Sequence, residues 1–539
     1  MHRICYILIA LLIFSSCGSI RHIHSEATRF QTEFDTNSVH ILPHDQLSRS
    51  YHGNWQLRIS GQNFDLGYKK GKLTRALFQH QEDVFFQRVS ELVPKPGRQR
   101  FLIRFLKWYH RNILKDIPLE YRKEIYGLSL NAGEQHNYIA TKYERNLLLH
   151  GAHDIGHAMQ DLMLVGCSSI ALWDEYTPDG KLLIGRNFDF YVNDAFAENK
   201  VVEFIIPDKG YKYAAVSWPG IIGVVSGMNE KGLTITINAG KSSIPLKGKT
   251  PIMLVARDIL QYAQNIQEAI EIASHYEVFV SESLLIGSAQ DNKAVNIEIS
   301  PKKFGVYETE NGKLFCTNHF QSATYANDKR NQRQIANSHS QYRLHKLQEI
   351  FSIPATYKPI DIAQILRDKS GLKQENIGLG NEKSLNQLLA HHGVIFKPDE
   401  LLMWVSNTPY QLGTFEAYNL NHAFQLQQNI NPITNLEIPA DTFLNSPSFT
   451  KYQKYKELLP KLEQSIRQKQ SIPEGELMQW EQCNPELWFT HKLLGAYYYS
   501  QQNWEKAVYH YEIALSKEIS TSKAKRQIQK KLKKARRKI

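Results

Sequence analysis

The chain has 539 residues, of which 42% are hydrophobic and 22% charged, as is typical of a globular protein with two or three domains. Its net charge of +12 is concentrated at the end: residues 517–539 hold eleven Lys or Arg and one Glu, a net +10, which leaves about +2 elsewhere. This distribution excludes a global nucleic-acid-binding surface. The five cysteines are scattered and match neither a zinc pattern nor a dense disulfide framework.

The N-terminus has the pattern of a targeting signal. A basic start at Met1–Arg3 precedes the apolar run Cys5–Phe14, and FSSC follows at Phe14–Cys17. The run is too short to be a permanent membrane span. It resembles a bacterial lipoprotein signal, which predicts a signal peptide at 1–17, lipidation of Cys17 and anchoring in the bacterial cell envelope, at the periplasmic face of the outer membrane. A plain secretory peptide is the alternative.

The next part of the chain is predicted to be a tether followed by a helical segment. Residues 18–50 are polar and mixed, so we expect a tether. WQLRIS, from Trp55, predicts a strand punctuated by Gly61 and Gly67. Apolar periodicity then predicts helices at Leu73–Val93, Phe101–Leu114, Leu119–Leu130 and Tyr138–His150.

Beyond Cys167 the pattern changes to short β-rich runs with turns between them, at Pro178–Gly180 and Asn229–Gly232. A helical block at Pro251–Tyr276 interrupts the strands before they resume. Further helices are expected at 338–350 and 360–391, and LLMWVSNT predicts a strand at 401–408. Strands, helices and strands in this order predict an α+β layered domain.

The last hundred residues predict a helical region, 446–539, with a basic tail. Apolar residues fall at the spacing of one tetratricopeptide (TPR) repeat, which makes this region a candidate surface for a protein partner. The alternative is a helical hairpin packed on the rest of the protein. The tail is expected to be a solvated or membrane-touching helix end. The TPR-like positions are Leu494, Gly495, Tyr498, Ala507, Tyr511 and Ala514.

Cys167 is the candidate nucleophile. Gly166 precedes it, and antiparallel pairing across the turn at Pro178–Gly180 would return Arg186 and Asp189 to its side. A thiol needs a base, and a free α-amine with a pKa near 8 can serve. A carboxylate can hold that amine, and a guanidinium can favour the thiolate. The amine exists only if the Gly166–Cys167 bond is cut, which the same thiol can do through a thioester.

These residues carry a family resemblance. GCSS, DG and GRNFDF, in that order, resemble the start of the mature chain in the choloylglycine hydrolase and penicillin acyltransferase group of N-terminal-nucleophile (Ntn) hydrolases. The long segment 51–166 is closest to the pro-segment of the acyl-CoA:6-aminopenicillanate acyltransferase branch. The resemblance implies a four-layer αββα sandwich, with 51–166 as pro-segment or small subunit and 167–445 as catalytic domain.

The resemblance also implies roles for individual residues. Cys167 would be the nucleophile, Arg186 and Asp189 would orient substrate and α-amine, and Asn238 and Asn318 would stabilise the oxyanion. Arg343 matches a late arginine on a helix. The implied enzyme acts on a non-peptide acyl-amide bond, as amidohydrolase or acyltransferase, and needs no cofactor and no metal. Small N-acyl amides or lipid amides are the expected substrates, and acyl-CoA is a donor only if the transferase branch applies.

Three other interpretations compete. A papain-like enzyme would pair Cys167 with His319 and Asn318, and a non-catalytic envelope scaffold would use the helical repeat. His150, His153 and His157 share a helix face that could bind a metal, but no fourth ligand is near in the sequence. Cys316 is expected to be a core residue.

Overall fold

The structure, a computed structural model, describes residues 22–151, 154, 164–243 and 247–539. The predicted signal peptide and its Cys17 lie outside these residues. Within the described part of the chain, no helix is both long and apolar enough to cross a membrane. The strands are β1 Gln46–Arg49, β2 Trp55–Gly61, β3 Leu164–Val165, β4 Ser168–Leu172, β5 Leu183–Phe188, β6 Phe190–Tyr191, β7 Val201–Pro207, β8 Tyr213–Ser217, β9 Ser226–Asn229, β10 Leu233–Ala239, β11 Glu282–Ser288, β12 Lys293–Ser300, β13 Lys303–Tyr307, β14 Lys313–Cys316, β15 His392–Lys397, β16 Leu402–Ser406 and β17 Phe415–Asn419.

The strands form two large sheets and a two-stranded ribbon. The larger sheet has the order β1-β2-β7-β8-β9-β10-β11-β12-β13, and the smaller one has the order β14-β4-β5-β15-β16-β17. The ribbon pairs β3 with β6. Pairing is antiparallel except between β2 and β7, which run parallel. The helices are residues 22–33, Asn63–Leu73, Arg75–Leu92, Pro96–Tyr109, Ile113–Asp116, Leu119–Ser129, Lys142–His150, Asp194–Glu198, Ile252–Tyr262, Ile266–Ser274, Lys329–Asn337, Ser340–Ile350, Pro359–Leu366, Leu420–Ala423, Pro447–Gln468, Glu474–Cys483, Trp488–Ser500, Trp504–Ser516 and Ser522–Arg536.

The two sheets pack face to face over a shared core. Alternate residues of one strand point to opposite faces. Ile184 of β5 therefore joins Phe204 and Val216 of the large sheet in the core between the sheets. Leu183 packs on the other face, against the helix Pro359–Leu366. The helices Ile252–Tyr262 and Ile266–Ser274 cover the outer face of the large sheet. The layers therefore run helix, sheet, sheet, helix, and the expected α+β class is confirmed.

From residue 22 onward the expected tether is folded, which corrects the sequence interpretation of 22–50. Residues 22–33 are helical, and Phe30 is fully buried in a cluster with Tyr126 and Leu254. Residues 46–49 form the edge strand β1. The polar residues of this segment had suggested a solvated chain, but its few apolar side chains recur at helical spacing, and their burial is enough to fix the segment on the core.

The segment 51–166 shares the core of the catalytic domain. Its strand β2 pairs with β7, and Lys70 Nζ donates to Glu203 Oε2 at 2.8 Å. Arg257 donates to both carboxylate oxygens of Glu124, at 3.2 and 3.0 Å. These pairs are buried, and breaking one by removing a single partner costs about 3–5 kcal/mol. A cut at Gly166–Cys167 would therefore leave the two parts associated.

Two helix predictions differ from the structure. The block at 251–276 is two helices, because Asn265 caps the N-terminus of the second by accepting from Glu268 N. The expected helix at 360–391 ends at Leu366 and continues as an irregular loop. Gly378 and Gly380 lie in that loop at φ +83° and +79°, a left-handed conformation that favours glycine and interrupts a helix.

The C-terminal extension, residues 447–536, is helical as predicted. Trp488–Ser500 and Trp504–Ser516 pack closely, since a Cβ on Gly495 would lie 2.6 Å from the Tyr511 ring. The extension has its own apolar and aromatic core. It also forms hydrogen bonds with the loop after Leu366. Asn484 Nδ2 donates to Leu379 O at 2.8 Å, and Leu379 N donates to Asn484 Oδ1 at 3.1 Å. The resemblance to a TPR repeat stays a prediction.

Candidate active site

Gly166 and Cys167 lie where the chain leaves one pair of strands and enters another. Val165 pairs with Phe190 in the small ribbon, whereas Ser168 pairs with Asn187 in the six-stranded sheet. Gly166 N donates to Asp189 O at 3.1 Å across this junction. The hairpin expected from the sequence is thus formed. It places Arg186 and Asp189 beside Cys167, which is fully buried.

Arg186 is held on the thiol by backbone and hydroxyl acceptors. Its Nη1 donates to Val225 O at 2.7 Å and to Ser226 Oγ at 2.5 Å. Nη2 donates to Ile237 O and, at 3.7 Å, to Cys167 Sγ. A guanidinium fixed in this way favours the thiolate over the thiol.

The Asp189 carboxyl group is buried beside the Gly166–Cys167 bond. Burial raises its pKa to about 7, against the lowering effect of Arg343 and Arg186. Oδ2 accepts from Gln387 Nε2 at 3.2 Å. Oδ1 is buried and has no hydrogen-bond partner among the residues that the structure describes. A buried oxygen left without a donor costs about 1–3 kcal/mol, so this site has room for one more donor.

The Cys167 thiol is neutral in the intact chain. Burial raises its pKa above the ordinary value, the Arg186 charge opposes that rise, and the Asp189 charge adds to it. The groups that would activate the sulfur are therefore in place, but they do not outweigh desolvation.

Arg343 lies against the backbone of the candidate nucleophile. Its Nη1 donates to Cys167 O at 2.5 Å and to Ser168 Oγ at 2.7 Å. Nη2 donates to Asn318 Oδ1 at 2.7 Å, so Asn318 is joined to the site through this arginine. Burial lowers the Arg343 pKa to about 10, against the raising effect of Asp189. The residue still carries its charge near neutral pH.

The two asparagines assigned to the oxyanion are occupied in the intact chain. Asn238 Nδ2 donates to Cys316 O at 3.0 Å and to Thr317 O at 3.4 Å, and its Oδ1 accepts from Ser169 Oγ. Asn318 Nδ2 donates to Ala239 O at 3.0 Å. Both side chains are buried and close to the sheet that carries Cys167. An oxyanion role for either amide requires these bonds to be exchanged, and it stays a prediction.

Gln387 is a site residue that the sequence interpretation missed. Its Nε2 donates to Gly166 O at 2.6 Å, the carbonyl of the bond that the hypothesis cuts. A Cβ on residue 166 would lie 2.2 Å from this amide, so a larger residue there would displace the Gln387 side chain. Gln387 lies in the loop that had been expected to be helical, and no local motif marks it.

The competing constellations are arranged differently. His319 Nδ1 lies 2.8 Å from Ser340 Oγ and 3.2 Å from Thr317 Oγ1, and no bond from His319 to Cys167 is present among the described residues. A papain-like pair is therefore not formed. His150 uses both ring nitrogens, one with Asn146 O and one with Ile222 N. His153 and His157 lie outside the described residues.

Aromatic side chains separate the thiol site from a small cavity. Phe188, whose ring lies under the Arg186 guanidinium at 4.5 Å, stacks on Phe190 at 5.7 Å, and Phe190 stacks on Trp218 at 6.0 Å. The cavity has a volume of about 40 Å³, too small for more than a few atoms. Its walls come from both parts of the chain and are Phe78, Gln81, Glu82, Phe85, Leu149, Phe190, Phe196, Trp218, Pro219, Gly220 and Ile221.

Comparison with protein families gives one match over the middle of the chain. Residues 176–385 match the family described as "AAT: Acyl-coenzyme A:6-aminopenicillanic acid acyl-transferase". The match covers less than half of the chain. Cys167 precedes the matched range, and Gln387 follows it. The range contains five of the predicted site residues, namely Arg186, Asp189, Asn238, Asn318 and Arg343.

The chain is also similar to curated proteins and solved structures. It is 25% identical over 288 residues to an uncharacterized protein of Archaeoglobus fulgidus, covering 49% of this chain and 46% of the relative. It is 22% identical over 300 residues to Protein dcd1B of Dictyostelium discoideum, covering 52% and 54%. The chain thus spans about half the length of these relatives. The N-acylethanolamine-hydrolyzing acid amidase ortholog of Caenorhabditis elegans shows 16% identity and a TM-score of 0.33, over 43% of this chain and 93% of that one. A mutant conjugated bile acid hydrolase of Clostridium perfringens shows 14% identity and a TM-score of 0.32, over 50% and 96%.

Proposed function

We propose that the chain is the precursor of an N-terminal-cysteine amidohydrolase or acyltransferase, which cuts its own Gly166–Cys167 bond and then uses Cys167 on acyl-amide substrates. The observation that carries the proposal is the buried Asp189 Oδ1, which has no donor among the described residues. Cleavage would create a free α-amine at Cys167, the residue whose thiol pKa the Asp189 charge already raises. The partial match to the acyl-transferase family supports the same class of chemistry.

The self-cutting step begins with the transfer of the Cys167 thiol proton to the Asp189 carboxylate. The thiolate attacks the Gly166 carbonyl carbon, and the oxyanion accepts from Gln387 Nε2, which already contacts that oxygen at 2.6 Å. Collapse breaks the C–N bond, and the departing Cys167 nitrogen takes the proton back from Asp189. Water then hydrolyses the Gly166 thioester, which releases a carboxylate and the free thiol.

Turnover would use the new α-amine as the base. The amine takes the thiol proton, and the thiolate attacks the acyl-amide carbonyl. The leaving amine receives the proton, and water or an acceptor amine resolves the acyl thioester. Arg186 stabilises the thiolate, Asp189 holds the α-amine, and Arg343 holds the Cys167 carbonyl. Asn238 and Asn318 are candidate oxyanion donors once their present bonds exchange.

We further propose N-acylated small molecules or lipid amides as substrates, with hydrolysis favoured over CoA-dependent transfer. The aromatic stack of Phe188, Phe190 and Trp218 beside the site suits an apolar acyl group. The cavity is too small for such a group in the intact chain. Binding would therefore follow cleavage and movement of the segment that ends at Gly166.

The test is intact-mass analysis of the purified wild-type protein and of two cysteine variants. Wild type and Cys316→Ala should appear as two fragments divided between Gly166 and Cys167, whereas Cys167→Ala should stay whole and inactive in a screen of N-acyl substrates. Cys316 is the matched control because it is also buried, with Sγ directed at Thr317 O. A wild-type chain that is whole yet active, or a Cys167→Ala chain that is cut, would refute the proposal.

The envelope location is a separate proposal, supported by the sequence before residue 18. Lipidation at Cys17 would anchor the enzyme to the outer membrane at its periplasmic face. Metabolic labelling with a fatty acid tests it: wild type should be labelled and membrane-bound, and Cys17→Ser should be neither. Equal labelling of both proteins would contradict it.

A further inference from the structure

Three helices of the C-terminal extension bring a histidine, a second histidine and a glutamate together. Glu481 lies on Glu474–Cys483, His491 on Trp488–Ser500 and His510 on Trp504–Ser516. One ligand atom of each lies within 4.8 Å of the others. We propose that these residues bind one Zn²⁺ ion, which ties the three helices together.

The separations of the three atoms suit one ion at their centre. His491 Nδ1 and His510 Nδ1 are 3.3 Å apart, and Glu481 Oε1 lies 3.5 Å from the first and 3.9 Å from the second. Tetrahedral zinc with bonds of 2.0–2.1 Å spaces its ligand atoms by about 3.3–3.4 Å. The glutamate needs only a small side-chain adjustment.

Neighbouring groups hold both imidazole rings in place. His491 Nε2 lies 2.9 Å from Pro485 O, so it donates there and leaves Nδ1 as a lone pair. This is the arrangement that metal-binding histidines show in their outer contacts. The His510 ring stacks on Tyr498 with centroids 5.3 Å apart and planes 5° from parallel, which restricts the plane of the imidazole.

The site is closed on the histidine side and open at the glutamate. The side chains of His491 and His510 are 4% and 7% exposed, whereas Glu481 is 30% exposed. Solvent at the glutamate gives the ion an entry path and a water as fourth ligand. The nearby cations are already paired, Lys506 with Glu474 at 2.7 Å and Lys517 with Glu486 at 2.6 Å. The positive charges of Lys506 and Lys517 are therefore offset by carboxylates and do not oppose binding of the ion.

The donor set selects the class of metal. Two imidazole nitrogens and one carboxylate oxygen suit Zn²⁺ and the neighbouring transition metals, whereas Mg²⁺ and Ca²⁺ require mainly oxygen ligands. The sequence interpretation expected no metal and did not consider these three residues, which are spread over thirty positions and match no zinc spacing. The site is independent of the chemistry proposed at Cys167.

The test uses the full-length protein, stripped with a chelator and titrated with Co²⁺ and Zn²⁺. Co²⁺ should give the visible absorption of a tetrahedral site, and Zn²⁺ should displace it at one ion per chain and raise the thermal midpoint. Glu481→Gln and His510→Gln should weaken binding ~10–100-fold, at least the loss that outer-shell changes cause. Glu481→His should retain binding, because it replaces one ligand by another.

Two controls separate this site from other ligands of the chain. His275→Gln removes an exposed histidine outside the extension and should bind as wild type does. Cys167→Ala removes the one thiol that Arg186 contacts, and it should keep one ion per chain. Glu481→Gln changes a partly exposed side chain, and an unchanged metal-free thermal midpoint shows that the variant folds. Absence of tetrahedral Co²⁺ absorption in wild type, or its persistence in both Glu481→Gln and His510→Gln, overturns the proposal.

Discussion

The site around Cys167 and the C-terminal extension bury opposite kinds of side chain. At the first, Cys167, Arg186, Asp189 and Arg343 are all fully buried. In the extension the buried core is apolar and aromatic, and charged pairs such as Lys461–Glu476 lie at the surface. Buried charges cost free energy unless they are paired and hydrogen-bonded, whereas buried apolar area stabilises. The extension follows the ordinary rule of folding, and the Cys167 site departs from it.

The Cys167 site departs from this rule in a second way, because some of its buried polar atoms lack hydrogen-bond partners. Arg186 Nε, Arg343 Nε and Asp189 Oδ1 are buried without a hydrogen-bond partner among the described residues. Departures from local consistency of this kind are expected at functional sites. Of these three atoms Asp189 Oδ1 is the acceptor, and under the proposed cleavage the new α-amine of Cys167 would supply its donor.

The loop after Leu366 contacts both the extension and the Cys167 site. The extension holds it through Asn484, which bonds Leu379 in both directions, and through Glu518 O, which accepts from Asn381 Nδ2 at 2.9 Å. A few residues further on, the same loop carries Gln387 to the Gly166 carbonyl. The extension is therefore in a position to support the Cys167 site through this loop, and variants at each end of the loop can separate their contributions.

The largest expected effect is at Asp189. Asp189→Asn should slow cleavage at Gly166–Cys167 by ~10²–10⁴-fold, because a positioned proton acceptor contributes on that scale. The rate is measured by the appearance of fragments on denaturing gels after synthesis. The matched control is Asp194→Asn, which removes a 50% exposed carboxylate paired with Lys456 of the extension, a contact worth about 0–1 kcal/mol. Cleavage of Asp189→Asn at the control rate would show that the carboxylate has no part in the step.

The next effect is at Gln387. Gln387→Ala should slow the same cleavage by ~10²–10³-fold, the scale of one lost oxyanion donor. Gln411→Ala is the control, since Gln411 is equally buried and its Nε2 donates to another backbone carbonyl, Leu366 O, at 2.6 Å. Both variants should lose stability, but only Gln387→Ala should lose cleavage rate. Equal rates in the two would reduce Gln387 to a packing residue.

The sequence predicted the local part of the site and missed the distant part. Arg186 and Asp189 could be placed because a turn at Pro178–Gly180 leaves antiparallel pairing as the simple outcome, and Ser169 indeed pairs with Arg186. Gln387 could not be placed, because it reaches Gly166 from 221 residues away and its loop reads as helical. The pairing of two strands joined by a short turn is set by the local sequence. The contact between Gln387 and Gly166 depends instead on tertiary packing.

The same distinction explains the fold. The αββα layers followed from the order of strand and helix patterns together with the family resemblance, and the helical extension followed from its periodicity. The helix at 22–33 was missed because its polar surface resembles a linker, while its anchoring residue Phe30 is buried only by segments far along the chain. Asn238 and Asn318 could be placed near Cys167, but the bonds that occupy their amides could not be foreseen.

A smaller effect is expected from pH. Burial raises the Asp189 pKa from 3.8 to about 7, and the proposed step needs the ionised form as acceptor. Cleavage should therefore be fastest above pH 7 and should fall about tenfold per unit below it, as the ionised fraction falls. The measurement is the rate of fragment formation in chain refolded at pH 5 to 8. A rate that stays constant from pH 5 to 8 would mean that burial does not raise the Asp189 pKa into this range.

The smallest effect tests whether the extension supports the site. Asn484→Ala removes both part-buried bonds to Leu379 and should cost about 1–3 kcal/mol, since each bond contributes about 0.5–1.5 kcal/mol. Because this loop also positions Gln387, cleavage should slow severalfold. Asn503→Ala is the control: Asn503 caps Trp504–Ser516, a contact worth about 1 kcal/mol, and has no bond to the loop among the described residues. Both variants should lower the thermal midpoint, but only Asn484→Ala should slow cleavage. If both slow it equally, the extension acts through global stability, and the loop is not its route to Cys167.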